Sequence, residues 1–426
     1  MESKTETTAQ EQPPVSDSPT AEADAAVPGE SAAVTAPASQ TTPFTIRGFL
    51  RGDLGALPVA FTLILIAVFF QVTSHGLFLS PVNLSDLVNQ IAALGAVGLA
   101  SVLVLLIGEI DLSLGVVSYT CASVTAVLSV YHNWPAIPAL AAGLVAGAVI
   151  GLVNGFFIAV LRVPSFIVTL AALLGYQGVV LHLLGTNTSL TINDPNIATI
   201  ATNYLPDYLG VGLPVVAVAL YIGAILYTRI RRQSKGLSVQ PAWAMWTQFA
   251  FIVVITAVIL TLFEAYRGVP QSAMILLGFI ALFWLILRFT GFGRHVYAVG
   301  GNAEAARRSG INVTGIRVVI FSLASMLAAV AGILAASRLD TASSDVDQTL
   351  LLNAIATAVI GGVSLFGGRG SVWAVVLGSL VIGGLANGLG LLNANTDIVY
   401  MVEGVVLLIA VTADALARRR SLATGR

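Results

Sequence analysis

Two carboxylates stand two residues apart in "IGEIDLSLG" (107–115), between segments 89–108 and 112–131 that carry no charged residue. Glu109 and Asp111 thus sit where the chain otherwise avoids charge. Such a pair suits acid–base catalysis, a cation site, a proton relay, or the ends of two helices. Asp111 or Ser113 can cap the helix that follows, accepting N–H groups its first turn leaves free, and a negative group suits that end of the dipole. Gly115 closes the stretch. Glu109 needs a partner if it lies within a bilayer, where a charge costs at least ~2.5 kcal/mol. No Lys or Arg inside an apolar segment presents itself, so a cation-coupling role stays open.

A second stretch is "GFGRHVYAVGGNAEAARRSGINVTGIR" (291–317). Within it "NAEAARRSG" predicts a short helix, with Glu304 early and Arg307 and Arg308 late, opened by Gly300 and Gly301 and stopped by Gly310. Such a helix is either a docking element or a solvated turn. A third stretch, "IGGVSLFGGRGSVWAVVLG" (360–378), crowds Gly361, Gly362, Gly367, Gly368 and Gly370. It lacks the lysine of a phosphate loop, G-x-x-x-x-G-K-[ST], and predicts a hairpin with tight helix contacts. Asn154 in "GLVNG" and Asn387 in "LANGL" are polar residues within apolar segments, either hydrogen-bonding between helices or lining a solute path. His75, His132, His182 and His295 are isolated, and Cys121 is the single cysteine. No H-E-x-x-H, G-x-S-x-G or cysteine pair is present, so neither a metal, a cofactor nor a catalytic residue is predicted.

The elements that must position these residues are apolar helices. The 426 residues are 57% hydrophobic and 10% charged, against roughly 25% charged in soluble domains. Their solvent is therefore lipid. A net charge of −1 without a basic stripe argues against nucleic-acid binding. Residues 1–43, rich in Ala, Thr, Ser, Pro and Glu and free of aromatics, predict a disordered tail. It has neither the basic start nor the apolar core of a signal peptide.

Twelve spans are expected, at 54–73, 88–107, 112–131, 137–161, 164–184, 211–228, 246–263, 270–288, 316–337, 350–365, 371–391 and 398–416. With the tail placed in the cytoplasm and every span crossing, all of the 20 Lys and Arg except Arg267 and Arg338 fall inside. That agrees with the positive-inside rule and puts both termini in the cytoplasm. "VLLIGEIDLSLG" (104–115) faintly echoes "TAVIGGVSLFGG" (357–368), each closing a span that runs inward.

Taken together these stretches resemble the membrane permease subunits of bacterial monosaccharide ABC importers of the ribose/xylose type, over about 47–420. "IDLSLG" (110–115) is similar to the family's signature after an early central helix, and "VPSFIVTLAALLGYQGVVL" (163–181) to the start of its next helical unit. "GRHVYAVGGNAEAARRSGINV" (293–313) carries the most specific likeness, with Glu304, Ala305, Ala306 and Gly310 in the pattern E-A-A-x-x-x-G. "NAIATAVIGGVSLFGGRGSVWAVVLGSLVIG" (353–383) is similar to the family's late hairpin. The extra helical pair at 211–263, with "RIRRQSKG" (229–236 region) inside and "YRGVP" (266–270) after it, resembles the xylose branch.

The resemblance implies an all-α polytopic membrane protein of the bacterial inner membrane, with about 12 transmembrane helices in a permease domain at 44–420. It implies no enzyme activity in this chain and no cofactor. Its implied partners are an ATPase with two nucleotide sites docking at the coupling loop 291–317 (Gly301, Glu304, Ala305, Ala306, Gly310), an extracytoplasmic sugar-binding protein, and a second copy of the permease. The implied cargo is a monosaccharide, D-xylose foremost. Two positions depart from the family pattern, Asn353 where an acidic residue is common and Gln177 where Arg is common; with Asn154 and Asn387 they are the candidate path-lining residues. The rival readings are an ABC permease for another sugar, a nucleoside or a branched amino acid, an ion-coupled carrier using Glu109 and Asp111, and a membrane enzyme or scaffold without transport.

Overall fold

The computed structural model describes residues 56–239 and 241–423; the expected tail at 1–43 lies outside them. Its helices are α1 (Ala56–Thr73), α2 (Pro81–Leu106), α3 (Leu114–Val130), α4 (Ala136–Gly155), α5 (Ser165–Leu184), α6 (Pro195–Ala198), α7 (Asp207–Gln233), α8 (Ala242–Glu264), α9 (Gln271–Phe289), α10 (Gly291–Gly301), α11 (Ala303–Arg308), α12 (Val313–Arg338), α13 (Gln348–Ile360), α14 (Ala374–Leu391) and α15 (Thr396–Ala423). A π turn, Phe156–Val160, extends α4. Each of the twelve expected spans overlaps one helix among the described residues, of which eight are long and apolar enough to cross a membrane.

Two helices form the centre. The stretch Gly95–Leu106 of α2 is buried throughout, and Phe321 and Leu327 of α12 are fully enclosed beside it. Against α12 lies α4, whose Gly147, Gly151 and Gly155 recur every fourth residue on the contact side, while Gly143 faces Thr125 and Cys121 of α3. A side chain at Gly147 would meet the Ser325 carbonyl, and one at Gly151 would run into the Phe321 carbonyl. In lipid, where burial of apolar surface does not drive helices together, such close backbone approach supplies the packing. The pair α7 and α8 is the opposite case. Tyr208, Leu220, Tyr227, Trp243, Trp246 and Phe251 are all exposed, a surface a water-soluble fold would not present.

Connections that the charge pattern puts on one side of the bilayer also meet in space. At one end, β1 (Ser189–Thr191) pairs antiparallel with β2 (Thr341–Ser343), Leu190 opposite Ala342. There too Asn187 bonds Tyr131, and Tyr204 bridges to Pro270. At the other end the Gly368 amide donates to the Leu106 carbonyl at 3.0 Å, and the Tyr297 hydroxyl donates to the Gly370 carbonyl at 3.0 Å. The 185–210 connection holds β1 and α6 because the Asp194 side chain caps α6 by accepting the Asn196 amide and the strand edge of β1 is satisfied by β2.

Candidate functional site

The carboxylate stretch lies in the turn between α2 and α3. Helix α2 ends in a Schellman motif: the Gly108 amide donates to the Leu105 carbonyl and the Glu109 amide to the Val104 carbonyl. Gly108 takes φ 77°, a conformation that favours glycine. Helix α13 ends the same way, with Gly362 at φ 100° and amides 362 and 363 bonded to carbonyls 359 and 358. The faint echo between 104–115 and 357–368 is therefore a shared helix ending, and the two endings touch through Gly368 and Leu106.

Both carboxylates differ from expectation. Glu109 has a partner: Arg317, in the second turn of α12, meets it at 2.8 Å. Arg317 lies at the start of the expected 316–337 span, and nothing local in the sequence marks it as the partner of a carboxylate so distant in the chain. Neither Asp111 nor Ser113 makes the cap expected for α3. Asp111 Oδ1 instead accepts the Ser113 amide at 2.8 Å and the Ser113 hydroxyl at 2.6 Å, because Ser113 itself adopts a helical backbone that leaves Asp111 facing the turn. The Ser113 hydroxyl in turn accepts the Asn154 carboxamide of α4 at 3.2 Å. Asp111 is 3% exposed and its Oδ2 has no partner among the described residues. Burial pushes its carboxyl up to about 6, against the pull of the two bonds from Ser113.

The second stretch holds two helices. Gly300 and Gly301 do not open the short helix but close α10; Asn302 is the cap, its side chain accepting the Ala305 amide at 2.9 Å. Glu304 pairs with Arg307 at 3.5 Å and Arg308 at 3.2 Å on an exposed face. Ala306 is buried, and Gly310 at φ 81° ends α11 with another Schellman pair, amides 310 and 311 bonding carbonyls 307 and 306. Gly301 has open space around it, whereas a side chain at Gly300 would run into the Leu106 carbonyl and crowd the Gly368 amide. Both glycines pack their backbone on the α13–α14 hairpin, but only at Gly300 does the close approach to the end of α2 and to Gly368 leave no room for a side chain.

The four candidate path-lining residues do not converge. Asn154 is buried on Ser113, and the Asn387 carbonyl of α14 accepts the Asn83 carboxamide of α2 at 2.9 Å. Asn353 of α13 donates to Glu403 of α15 at 3.0 Å. Gln177 donates to the Ser344 carbonyl at 3.3 Å and, with Gly115, Asp347 and Leu351, lines a small cleft between α3, α5 and α13. At the end that carries the β1–β2 pair a polar cavity of about 350 Å³ gathers Asp86, Asn89, Gln90, Tyr266, Arg267 and Arg338. Arg267 lies over the Tyr204 and Tyr266 rings at 5.9 and 5.3 Å. These groups are able to hydrogen-bond a polyhydroxylated solute, and the site contains the two basic residues that the charge count put outside.

Comparison with known proteins gives the geometry a context. Residues 83–411 match the family described as branched-chain amino acid transport system / permease component. The xylose transport system permease protein XylH of Haemophilus influenzae is 38% identical over 85% of this chain and 98% of its own. XylH of Escherichia coli K12 is 36% identical over 84% and 91%, and the ribose import permease protein RbsC of Bacillus subtilis 31% over 79% and 86%. No solved structure matches.

Proposed function

The chain belongs to the branched-chain amino acid transport system / permease component family, and we propose that it is the membrane permease of an ATP-driven importer that carries D-xylose inward. The observation that carries the proposal is the 38% identity to a xylose permease across almost the whole length of both chains. The chain is a multi-pass protein of the bacterial inner membrane.

The reading includes twelve crossings with both termini in the cytoplasm, supported by the sorting of the 20 basic residues and by the connections that meet at each end. A permease domain at 44–420 carries α7–α8 (211–263) as an added pair and 291–317 as the coupling loop. Hydrolysis belongs to a separate ATPase with two nucleotide sites, docking on α11 through the face of Glu304, Ala305 and Gly310. An extracytoplasmic binding protein delivers sugar to the outer end, and a second copy completes the path. Nucleotide state favours one of two conformations, and α11 transmits the bias as a rigid body because Gly300 packs directly on the α2–α3 turn. A neutral sugar needs no counter-charge, which fits the sparse charge within the spans.

The test is uptake of labelled D-xylose into proteoliposomes holding the permease, with its ATPase on the nucleotide side and its binding protein outside. Accumulation that requires ATP and survives collapse of ion gradients supports the reading. Accumulation by the permease alone, driven by an ion gradient, overturns it. Competition by unlabelled ribose separates the xylose branch from the ribose branch.

A further inference from the structure

A cavity of about 250 Å³ beside α11 is lined by Arg162, Arg307 and Arg317 and by a single carboxylate, Glu109. We propose that it receives a carboxylate side chain of the ATPase, which competes with Glu109 for Arg317. The inference rests on the reading of α11 as the docking element.

Three features build the site. Three guanidinium groups face one carboxylate, so the cavity holds excess positive charge. Arg317 bonds Glu109 through a terminal nitrogen at 2.8 Å, while its buried Nε has no acceptor among the described residues. A buried donor without an acceptor costs free energy that an incoming oxyanion removes. The wall opposite is the first turn of α5 at Ser165, with no side-chain cap and hence the positive end of a 20-residue helix dipole.

The backbone is bent to place Arg162 there. The chain leaves α4 through the π turn, and Arg162 follows at φ 59°, a left-handed conformation unfavourable for a non-glycine residue. The Val163 amide bonds the Phe157 carbonyl at 3.1 Å and fixes the bend. Arg162 forms no ion pair among the described residues, although Arg307 and Arg317 each have one.

The occupant follows from the position. Arg307 belongs to α11 itself and extends the cavity to the face that meets the ATPase. A carboxylate arriving there draws on Arg162 and Arg317 together, weakening the Glu109 pair. Glu109 starts the turn whose Asp111, Ser113 and Asn154 are bonded in series into α4. Docking is thereby linked to the membrane core through a charge exchange.

The experiment uses the ATPase that co-purifies with the wild-type permease, and permease in phosphatidylcholine nanodiscs. Arg162→Glu is expected to weaken ATPase binding about tenfold or more and flatten its salt dependence, with Arg162→Lys near wild type. Wild-type affinity for Arg162→Glu overturns the inference. So does a loss seen only with phosphatidylglycerol present, which identifies a lipid phosphate as the occupant. Absence of any ATPase on the wild-type chain overturns instead the ATP-driven reading itself, and this inference with it.

Discussion

Glu109 and Arg317 meet at 2.8 Å and tie the turn after α2 to the start of α12, more than two hundred positions apart in the chain. Their side chains are 14% and 26% exposed, so water screens the pair only in part. Removing one partner strands the other. Glu109→Gln is expected to destabilise the permease by about 1–3 kcal/mol, less than a fully buried pair loses. The exchanged double variant, Glu109→Arg with Arg317→Glu, should recover part of that loss. Thermal unfolding in nanodiscs reads both, and an unaffected single variant would show that the contact carries no stability.

Asp111 gives a pH signature. Its carboxyl is pushed up to about 6 in the fold from an ordinary 3.8, so the native state holds its proton more tightly than the unfolded chain. That contribution is fully present below about 3.8 and is lost as pH rises through about 6. Lowering pH from 7.5 to 5 should therefore stabilise the wild type relative to Asp111→Asn by roughly 1 kcal/mol. Parallel stability curves for the two proteins would remove the burial argument. Sugar preference should not change, because Asp111 faces Ser113 rather than a path.

Two adjacent glycines provide a paired test. Gly300→Ala sets a methyl group against the Leu106 carbonyl and Gly368 amide, whereas Gly301→Ala meets open space. The first should cost at least ~2 kcal/mol or displace α11 enough to abolish ATP-driven uptake. The second should be neutral or slightly stabilising, since Ala suits a helix better than Gly. Equal uptake and unfolding temperatures for both variants would refute a close contact at Gly300.

How much of this was legible follows from range. Helix α11 and its stop at Gly310 were readable because charge order and terminator lie close together, Glu304 to Gly310, whereas its cap at Asn302 was hidden behind the two glycines that close α10. The twelve apolar segments were readable because the bilayer imposes length and composition on each separately. Arg317 was not, because its partner comes from another helix and nothing local marks it. Gly300 and Gly301 are alike in sequence and differ in what the end of α2 and the α13–α14 hairpin bring against their side-chain positions. Asn154 and Asn387 were readable as polar residues in apolar helices, but the choice between hydrogen bond and path needed the positions of Ser113 and Asn83.

The last test separates docking from folding at α11. Glu304 pairs with Arg307 and Arg308 on an exposed face, and such pairs stabilise a helix by only about 0.3–0.5 kcal/mol each. Glu304→Lys should therefore leave the unfolding temperature of the permease nearly unchanged. It also reverses the charge at the start of α11 and places three cations on the face proposed to meet the ATPase. Uptake driven by ATP should fall at least about tenfold while the subunit stays inserted and its partner's basal hydrolysis persists. Gly310→Ala supplies the contrast: at φ 81° an alanine strains the turn by roughly 1–2 kcal/mol without altering charge. If Glu304→Lys transports D-xylose at the wild-type rate, α11 is a solvated turn and the motor engages the permease elsewhere.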